Sequence, residues 1–430
     1  MPSRYSLALY CLVLTAALSA CSSQRRLTRT ARKMLLADST LATAHVGISV
    51  VNVMSGKKLV AYQDDKYFVP ASNTKIITCY AAMKYLGDSL KGLEYQVIND
   101  STILIAGTAD PTFLHPDFSR QPAFDLLKNY RRLVIGDMLY DEFLGSGWAW
   151  SDYTAYYMAQ RSPLPVYGNT VRYTYHNGRL DIRPRSFAAY TDGSTLPGAT
   201  GLEVIKPWDE NKFTVLPGGD KSAEVPFTPI PGFIASLLAD TLKAAVSVDA
   251  MARPSGKFIY SHPVDSLLRP MMYRSDNFFA EQSLLMVSKE LLGEMDDNKI
   301  IARLLNTDLA DLPHKPRWAD GSGLSRYNLF TPLDFVTVLR KMRAEIGMNR
   351  IRQVFPTGGT GTLGSYYLAE QGRLYAKTGT LSGVVCLSGY LVTKKGTQLA
   401  FSALVNNHNG SATGVRRAVE KFLHHISEKY

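Results

Sequence analysis

Residues 68–80 read FVPASNTKIITCY, and this stretch joins a helical pattern to a charge on its inward face. On a period of 3.6 residues, Ser72, Lys75 and Cys79 lie on one otherwise apolar stripe. The pattern predicts a helix that begins near Ser72 and stops at Gly87. Lysine is almost never fully buried unless it is paired. Lys75 therefore needs a chemical reason for its position.

Nucleophilic catalysis would supply such a reason. A serine hydroxyl becomes a useful nucleophile when a neighbouring base removes its proton. The spacing of three residues puts the Lys75 amine within reach of the Ser72 hydroxyl on a helix, and desolvation or nearby cations can depress a lysine pKa enough for it to act as base. None of the eight histidines lies near Ser72 in sequence, and no G-x-S-x-G elbow is present. Alone, S-x-x-K is a weak signal because it occurs by chance in most chains of this length.

Two further triplets give the S-x-x-K pattern its meaning. SDN at 275–277 precedes a helical pattern, and KTG at 377–379 lies on a predicted strand. Taken singly, the first is typical of a helix N-cap and the second of a strand that runs into a turn. S-x-x-K, S-D-N and K-T-G together are the motif set of penicillin-binding proteins and class A β-lactamases. The set predicts an enzyme that works through an acyl-serine.

A catalytic role follows for each of four residues. Ser72 would attack a carbonyl and become acylated, and Lys75 would accept its proton. Ser275 would relay that proton to the leaving amine. Asn277 would hold both Lys75 and the substrate amide. Free backbone N–H groups at the start of the helix would lie beside the attacked carbonyl, where an oxyanion develops.

The KTG strand is predicted to recognise the end of the substrate. Lys377 adds positive charge, which favours a substrate carboxylate and would keep the first lysine neutral. Thr378 and Thr380 can donate hydroxyls to that carboxylate, and Gly379 lets the substrate backbone approach the strand. The Thr380 N–H would complete the oxyanion hole. We therefore expect a substrate with a free carboxylate that is cleaved at its last peptide bond.

Strand-like runs at both ends of the chain predict one antiparallel sheet flanked by helices, an α/β fold of the α+β type. The middle of the chain is rich in Tyr, Pro, Gly and short strand-like pieces, which indicates an insertion. The predicted parts are a signal peptide (1–20), a tether (21–40), a catalytic domain (41–90 and 250–430) and inserted β-rich domain(s) (91–249).

The N-terminus is typical of an exported protein. It has one basic residue, Arg4, an apolar stretch over 7–18 and then small residues. LSAC at 18–21 resembles a bacterial lipobox, which implies lipidation of Cys21 and a membrane-anchored periplasmic lipoprotein, with the inner or outer membrane left open. An ordinary signal peptide that contains a cysteine is the alternative. Five basic residues just behind Cys21 either contact anionic head groups or form a solvated tether: Arg25, Arg26, Arg29, Arg32 and Lys33.

Composition adds few constraints. The 430 residues carry a net charge of +11, but no nucleic-acid motif accompanies it, so no nucleic-acid partner is expected. In the mature chain, Cys79 and Cys386 allow one disulfide. Each lies within an apolar pattern, which favours two separately buried thiols. The sequence leaves the oligomeric state open.

The chain resembles the peptidase S13 family, the D-alanyl-D-alanine carboxypeptidase/endopeptidase group of low-molecular-mass class C penicillin-binding proteins. Ser72 and Ser275 are 203 positions apart, far more than in class A β-lactamases. Further matching stretches cover nearly all the chain beyond about residue 40: PASNTK (70–75), ADPTF (109–113), GDMLYDEFLGSGWAW (136–150), DGSGLSRYN (320–328), GGTGTL (358–363) and AKTGTLSGV (376–384).

The resemblance implies a transpeptidase-like domain with one or two inserted β-rich domains. It also implies removal of the terminal D-Ala from peptidoglycan stem peptides, hydrolysis of cross-links, and acylation by β-lactam antibiotics as inhibitors. No metal or organic cofactor is expected. In this family an acidic residue is thought to bind the amine of diaminopimelate. Asp152 is the candidate here, with Trp148 and Tyr156 as walls of the pocket, and a purely structural role for these three is the alternative.

Two other functions remain open on sequence. A β-lactamase would need a carboxylate that activates the deacylating water, and no E-x-x-L-N-like segment lies between the motifs. A non-catalytic lipoprotein that only binds peptidoglycan would tolerate loss of the reactive residues, yet all five are present: Ser72, Lys75, Ser275, Asn277 and Lys377.

Overall fold

The computed structural model describes residues 29, 33–34, 39–193, 201–216, 218–254 and 256–430. The predicted signal peptide, the lipidation site Cys21 and most of the tether lie outside the described residues. Among those that are described, no helix combines the length and apolar character that a bilayer span requires.

The strands are, in chain order, β1 His45–Asn52, β2 Lys58–Tyr62, β3 Ser89–Asn99, β4 Thr102–Gly107, β5 Arg132–Gly136, β6 Thr170–His176, β7 Arg179–Arg183, β8 Thr191–Gly193, β9 Glu203–Ile205, β10 Phe213–Leu216, β11 Lys221–Pro226, β12 Ala245–Val248, β13 Lys257–Pro263, β14 Leu374–Leu381, β15 Val384–Val392 and β16 Gln398–Asn406. The α-helices are α1 Lys75–Tyr85, α2 Pro122–Leu127, α3 Pro231–Leu242, α4 Val264–Tyr273, α5 Asn277–Leu292, α6 Asp297–Asn306, α7 Pro332–Glu345, α8 Met348–Val354 and α9 Ala412–Lys429.

One antiparallel sheet unites the two ends of the chain, as predicted. Its order is β14-β15-β16-β1-β2, so that β1 pairs with β16 although more than 300 residues separate them. Strands β15 and β16 are buried along almost their whole length. Helices α1, α5 and α7 contribute to the core on one face, and α9 packs on the other. A sheet covered on both faces needs such continuous apolar runs.

Helix α1 lies in the centre of the catalytic domain rather than along one side of it. It ends at Tyr85, and Gly87 adopts a positive φ of 69°, which fits the predicted stop. Every residue from Lys75 to Met83 is buried, so the helix is enclosed on all sides and not along a single stripe. Cys79 and Cys386 are both buried free thiols. A central helix holds its first turn in a fixed place, which matters for Ser72.

The middle of the chain forms three further sheets. A five-stranded sheet has the order β12-β5-β4-β3-β13, in which β4–β5 and β5–β12 are parallel pairs. Two three-stranded sheets, β8-β10-β9 and β11-β6-β7, lie within the same region. The five-stranded sheet begins with β3 at Ser89 and includes β13, which comes after the predicted boundary at residue 249. This sheet therefore reaches from the insertion into the start of the helical half of the chain.

Candidate active site

Ser72 lies on a tight turn that is hydrogen-bonded to strand β16 of the central sheet. The turn Ala71–Thr74 is a 3₁₀-helix, so α1 begins at Lys75, slightly later than predicted. The side-chain amide of Asn406 on β16 accepts a hydrogen bond from the Val69 N–H (2.7 Å) and donates one to the Val69 carbonyl (3.0 Å). Ala71 has a φ of +47°, a conformation that costs a non-glycine residue about 1 kcal/mol. The chain is thus held in a sharp bend immediately before Ser72.

Two glycines let other segments approach this turn closely. A Cβ on Gly379 of β14 would lie 2.6 Å from the Pro70 carbonyl oxygen. A Cβ on Gly323, whose φ is +80°, would lie 1.9 Å from the Ala71 carbonyl oxygen. The sequence interpretation gave Gly379 the task of admitting a substrate backbone. In the structure its absent side chain makes room for the turn that carries Ser72.

Lys75 forms the two contacts that the sequence predicted, with Ser72 and Asn277, and a third that it did not. Its Nζ is 3.0 Å from the Ser72 hydroxyl and 2.7 Å from the Asn277 Oδ1. It is also 2.7 Å from the carbonyl oxygen of Ser322, a residue that the sequence interpretation had given no role. These three acceptors match the three protons of an ammonium. A neutral amine would keep two of the donations and turn its lone pair towards the third partner, the Ser72 hydroxyl.

Burial changes the protonation of Lys75. The side chain is fully buried, and the loss of hydration lowers its pKa from 10.5 to about 8. The negative charges of Asp320, Glu281 and Asp276 act in the opposite direction and raise it. Lys75 is therefore mixed between amine and ammonium near neutral pH.

Two buried carboxylates shape the loop that supplies the Ser322 carbonyl. Glu281 accepts hydrogen bonds from the backbone N–H groups of Ser322 (2.7 Å) and Gly321 (3.2 Å). Asp320 accepts from the backbone N–H of Gly323 (2.8 Å) and closes the loop from its other side. Burial, and then the nearby charge of Asp320, raise the pKa of Glu281 to about 7. Glu281 lies one helical turn after Asn277, on the same face of α5. This face therefore contacts Lys75 directly through Asn277, and Glu281 holds the loop whose Ser322 carbonyl also contacts Lys75.

The three residues of the SDN triplet have different roles: Asp276 caps a helix, whereas Ser275 and Asn277 contact the two buried lysines. Asp276 is the N-cap of α5, accepting a hydrogen bond from the Phe279 N–H at 3.0 Å. Ser275 precedes it with a φ of +64°, and Asn277 is the first residue of the helix. The Asn277 side chain donates its amide hydrogen to the Tyr157 carbonyl (3.0 Å) while its oxygen accepts from Lys75. The triplet thus combines a helix N-cap, Asp276, with two residues that line the cavity of Ser72, Ser275 and Asn277.

Lys377 reaches the Ser275 hydroxyl at 2.9 Å and the carbonyl of its own neighbour Thr378 at 2.7 Å. Burial, followed by the charge of Lys75, lowers the pKa of Lys377 well below its ordinary value. The sequence interpretation gave Lys377 the task of keeping Lys75 neutral. For Lys75, however, desolvation is the main cause of the lowered pKa. The charge of Lys75 thus disfavours the charged form of Lys377, and the Ser275 hydroxyl is hydrogen-bonded to Lys377.

Strand β14 is an edge strand, and its outer edge faces the site. The Ala376 N–H points away from β15 and donates to the Pro356 carbonyl at 3.1 Å. Because N–H groups alternate in direction along a strand, those of Thr378 and Thr380 point to the same outer edge. The Ser72 N–H, at the start of its 3₁₀ turn, has no acceptor three residues back that the turn could supply. These positions match the two donors predicted for an oxyanion hole.

A cation at this edge escaped the sequence interpretation. Arg416 on the C-terminal helix α9 donates to the Thr380 hydroxyl at 3.0 Å. The Thr378 hydroxyl donates to that of Thr362, at 2.8 Å. No motif marks Arg416, since it lies in a charged amphipathic helix with a second arginine beside it. Only the packing of α9 on the sheet brings its side chain to the KTG strand.

A cavity of about 690 Å³ contains Ser72. Ser275, Asn277, Thr378 and Thr380 also line it, so the three motifs face one space. Among the residues that the structure describes, no histidine belongs to this lining. Among the described residues, the Lys75 amine is the side chain recorded within hydrogen-bonding distance of the Ser72 hydroxyl, which makes it the candidate base.

Two of the three residues predicted to form the side-chain pocket line this cavity. Asp152 and Tyr156 line it, and Asp152 accepts a hydrogen bond from the Tyr157 hydroxyl at 3.0 Å. The indole of Trp148 instead donates to Asp320 at 3.0 Å, and this residue is not part of the described cavity wall. Trp148 thus contacts the loop that orients Lys75.

One cluster of acidic side chains in the described part of the chain could hold a metal ion: Glu142, Asp296 and Asp297 have carboxylate oxygens within 4.8 Å of one another. Arg161 pairs with Asp297 there. None of the three carboxylates lines the Ser72 cavity, so this cluster is separate from the candidate active site.

Comparisons with known proteins agree with the geometry. The sequence model of the D-Ala-D-Ala carboxypeptidase 3 (S13) family matches residues 30–192 and 249–426. A D-alanyl-D-alanine carboxypeptidase of Actinomadura sp. (strain R39) is 26% identical over 444 residues, which covers 88% of this chain and 80% of the relative.

Solved structures share the fold. The crystal structure of penicillin binding protein 4 from Haemophilus influenzae superposes with a TM-score of 0.72 at 20% identity, covering 92% of this chain and 99% of that one. The same protein has been solved in complex with a β-lactam. A predatory peptidoglycan endopeptidase from Bdellovibrio bacteriovorus gives a TM-score of 0.53 at 16% identity, covering 89% of this chain and 92% of the other.

Proposed function

The chain belongs to the S13 family of D-Ala-D-Ala carboxypeptidases, and from this premise we propose that it hydrolyses peptidoglycan stem peptides through an acyl-enzyme on Ser72. The observation that carries the proposal is the 3.0 Å contact between the Ser72 hydroxyl and the fully buried amine of Lys75. The bond cleaved is the one before the terminal D-Ala, and β-lactam antibiotics acylate the same serine.

Acylation begins with the neutral form of Lys75. In that form two N–H groups stay on Asn277 and on the Ser322 carbonyl, so the lone pair is directed at the Ser72 hydroxyl. Removal of the proton lets the serine oxygen attack the substrate carbonyl. The developing oxyanion is stabilised by the N–H groups of Ser72 and Thr380.

The proton then leaves through Ser275. Its hydroxyl, held at 2.9 Å by Lys377, delivers a proton to the departing amine as the peptide bond breaks. Ser275 regains a proton from the Lys75 ammonium, which holds the one taken from Ser72. Water attacks the resulting ester, with Lys75 neutral again and available as base. One carboxylate, Asp152, belongs to the described wall of the cavity, and it is hydrogen-bonded to Tyr157. Nothing in that wall therefore favours the β-lactamase alternative.

The free carboxylate of the substrate is recognised at the edge of β14. The hydroxyls of Thr378 and Thr380 lie there, and Arg416 contributes a guanidinium beside them. Asp152 and Tyr156 line the part of the cavity that takes the preceding side chain, where the carboxylate would bind the amine of a diamino acid. The incoming carboxylate would also favour the charged form of Lys377.

The chain would work outside the cytoplasm, anchored through a lipid on Cys21. The signal-like N-terminus and its LSAC ending support this proposal, and the basic residues behind Cys21 fit an anionic membrane surface. Fractionation of cells that express the full chain tests it. Recovery of the mature protein in the soluble fraction alone would contradict the anchor.

The direct test of function uses the purified wild type with a stem pentapeptide and with penicillin. Release of one D-Ala per pentapeptide and a mass increase equal to one penicillin are the expected results. A protein that binds the peptide but releases no D-Ala would be the non-catalytic alternative. Steady turnover of penicillin, without a lasting acyl-enzyme, would indicate a β-lactamase.

Glu281→Gln should move the pH profile of acylation. Because Lys75 must be neutral to act as base, kcat/KM should rise with pH through the Lys75 pKa of about 8. The negative charge of Glu281 raises that pKa, so its removal should shift the rise to lower pH, by about one pH unit. Rates of penicillin acylation between pH 5 and 10 measure the shift.

The amide oxygen of the glutamine variant can still accept from the Ser322 N–H, the shorter of the two contacts, whereas the longer contact with the Gly321 N–H is lost. A profile that loses rate at every pH without moving would mean that Glu281 acts only as a structural support. A shift to higher pH would contradict the electrostatic assignment.

Arg416→Gln should weaken recognition of the substrate carboxylate. Loss of one charge-assisted hydrogen bond predicts a decrease in kcat/KM for the pentapeptide of about tenfold. The same peptide with an amidated C-terminus should react slowly with wild type and variant alike. Arg417→Gln is the matched control, since Arg417 is the next residue on α9 but pairs with Glu420 instead. Equal losses in both variants would exclude a specific role for Arg416.

A further inference from the structure

Arg161 is a buried cation near the candidate active site that takes no part in the acylation steps. It follows Tyr156 and Tyr157, which line the cavity of Ser72, but it does not line that cavity itself. The residue is 1% exposed. Burial of an ion is costly unless other groups compensate its charge and satisfy its hydrogen bonds. The partners of Arg161 therefore indicate what the residue does.

The uncharged partners of Arg161 lie on one backbone segment. Its guanidinium donates to the carbonyl oxygens of Glu142 and Leu144, each 2.9 Å from Nη2. Further along this segment, the centre of the Trp148 ring lies 6.0 Å from the guanidinium carbon. The Trp148 indole donates to Asp320 at 3.0 Å. The segment that Arg161 holds is thus in contact with the loop that orients the catalytic lysine.

The charged partners of Arg161 are two buried carboxylates on different helices. Its Nη1 donates to Asp297 of α6 and lies 3.7 Å from the carboxylate of Glu281 on α5. In the described part of the chain, Arg161 is the cation recorded within ion-pair distance of Glu281. Asp320 adds a further negative charge near Glu281. A buried carboxylate among like charges takes up a proton unless a cation offsets them. Arg161 therefore decides whether Glu281 can stay charged.

We propose that Arg161 is a positioning residue that keeps Glu281 ionised. The ionised carboxylate accepts from the Ser322 N–H at 2.7 Å, and the carbonyl of Ser322 accepts from Lys75 at 2.7 Å. A protonated Glu281 would offer a weaker acceptor to this loop and no charge to the Lys75 ammonium. The inference rests on the proposed function, because its readout is the acylation of Ser72.

Charges from several elements act on Glu281. Burial is the main cause that raises its pKa to about 7, the carboxylates of Asp320 and Asp297 raise it as well, and Arg161 opposes them. Without Arg161 this pKa should lie above 7, so that Glu281 stays neutral in the range in which Lys75, with a pKa of about 8, titrates. The other titratable groups that face Glu281 or Arg161 are Lys75 on α1 and, in the segment after β5, Tyr140 and Glu142.

The test compares the pH profile of penicillin acylation in the wild type and in the paired variant Arg161→Gln/Asp297→Asn. The two substitutions remove one charge of each sign, so the net charge between α5 and α6 does not change. With Glu281 neutral, the pKa of Lys75 falls, and the rise of rate with pH should move to lower pH by about one pH unit. Adding Glu281→Gln should move it no further, because the charge through which Arg161 acts is then already absent.

Two single variants are the controls. Asp297→Asn keeps Arg161 and leaves its charge to Glu281, so its profile should not move to lower pH. Arg161→Lys keeps a cation without the planar fork of donors, and its acylation rate should stay close to that of the wild type. This second control also tests the inference if the paired variant does not fold.

The outcomes separate the inference from the function on which it rests. A profile that does not move in the paired variant, or a further shift when Glu281→Gln is added, would overturn the inference. A loss of rate at every pH in Arg161→Lys would mean that Arg161 only supports the backbone segment, and would overturn it too. A wild type that penicillin acylates at no pH would instead refute the proposed function.

Discussion

Ser72→Ala should abolish covalent labelling by a fluorescent penicillin and lower D-Ala release by at least about 10⁴-fold. The Lys75 amine has three hydrogen-bonding partners in the described structure. Of these, the Ser72 hydroxyl is the one that can form an ester. The remaining contacts bind substrate but cannot replace a nucleophile. Gel fluorescence, intact-protein mass and D-Ala release measure the three consequences.

A control variant shows whether the loss is specific. Ser382→Ala changes an exposed serine at the rim of the same cavity to which no catalytic role is assigned. It should label as the wild type does. Labelling that survives in Ser72→Ala would refute the acyl-serine mechanism. Melting temperatures should be similar in all three proteins, because a partly exposed hydroxyl adds little to stability.

The catalytic sheet could be predicted because its information is local. Hairpin signals at MSGK and KKG, and apolar runs between them, mark the strands without knowledge of their partners. The three motifs could also be recognised in the sequence, since each consists of a few residues at a fixed spacing. Their meeting in one cavity follows from sheet pairing across the whole chain, which the order of the motifs could only suggest.

Contacts between distant residues explain what the sequence interpretation missed. Glu281 appears in the sequence as one more polar position in an apolar helix, and Ser322 as part of a Gly-Ser loop. Their effect on Lys75 depends on two long-range contacts. The Glu281 carboxylate accepts from the Ser322 backbone N–H, 41 residues away, and the Ser322 carbonyl accepts from Lys75, 247 residues away. Arg416 is similar, because its contact with Thr380 depends on how α9 packs on the sheet.

Gly379 and Trp148 show a different limit. A glycine in a strand indicates that something approaches closely, but it does not say whether this is a substrate or another part of the chain. In the structure it is the Ser72 turn. An aromatic residue in a matching motif likewise suggests a pocket wall, whereas the Trp148 indole has a buried hydrogen-bonding partner in Asp320. For these two residues, the sequence therefore indicated a close neighbour without showing which neighbour it is.

Lys75→Met should lower the rate of penicillin acylation by about 10³-fold, within the usual range for loss of a general base. Methionine has a similar length and removes both the charge and the lone pair. Since the side chain is fully buried, the apolar replacement removes a desolvated amine but leaves the Asn277 Oδ1 and the Ser322 carbonyl without this donor, so the melting temperature should fall moderately. The slow residual acylation should also lose the rise of rate with pH near 8 that the wild type owes to this amine.

Lys75→Arg distinguishes a base from a fixed positive charge. A guanidinium stays protonated across the accessible pH range and cannot accept the Ser72 proton, but it can still donate hydrogen bonds to Asn277 and to the Ser322 carbonyl. If Lys75 acts as base, the arginine variant should be about as slow as Lys75→Met. If its ammonium only orients Asn277 and stabilises the oxyanion, the arginine variant should retain much of the wild-type rate while the methionine variant does not. That second result would remove Lys75 as the base, although its amine is the group recorded within hydrogen-bonding distance of the Ser72 hydroxyl in the described structure.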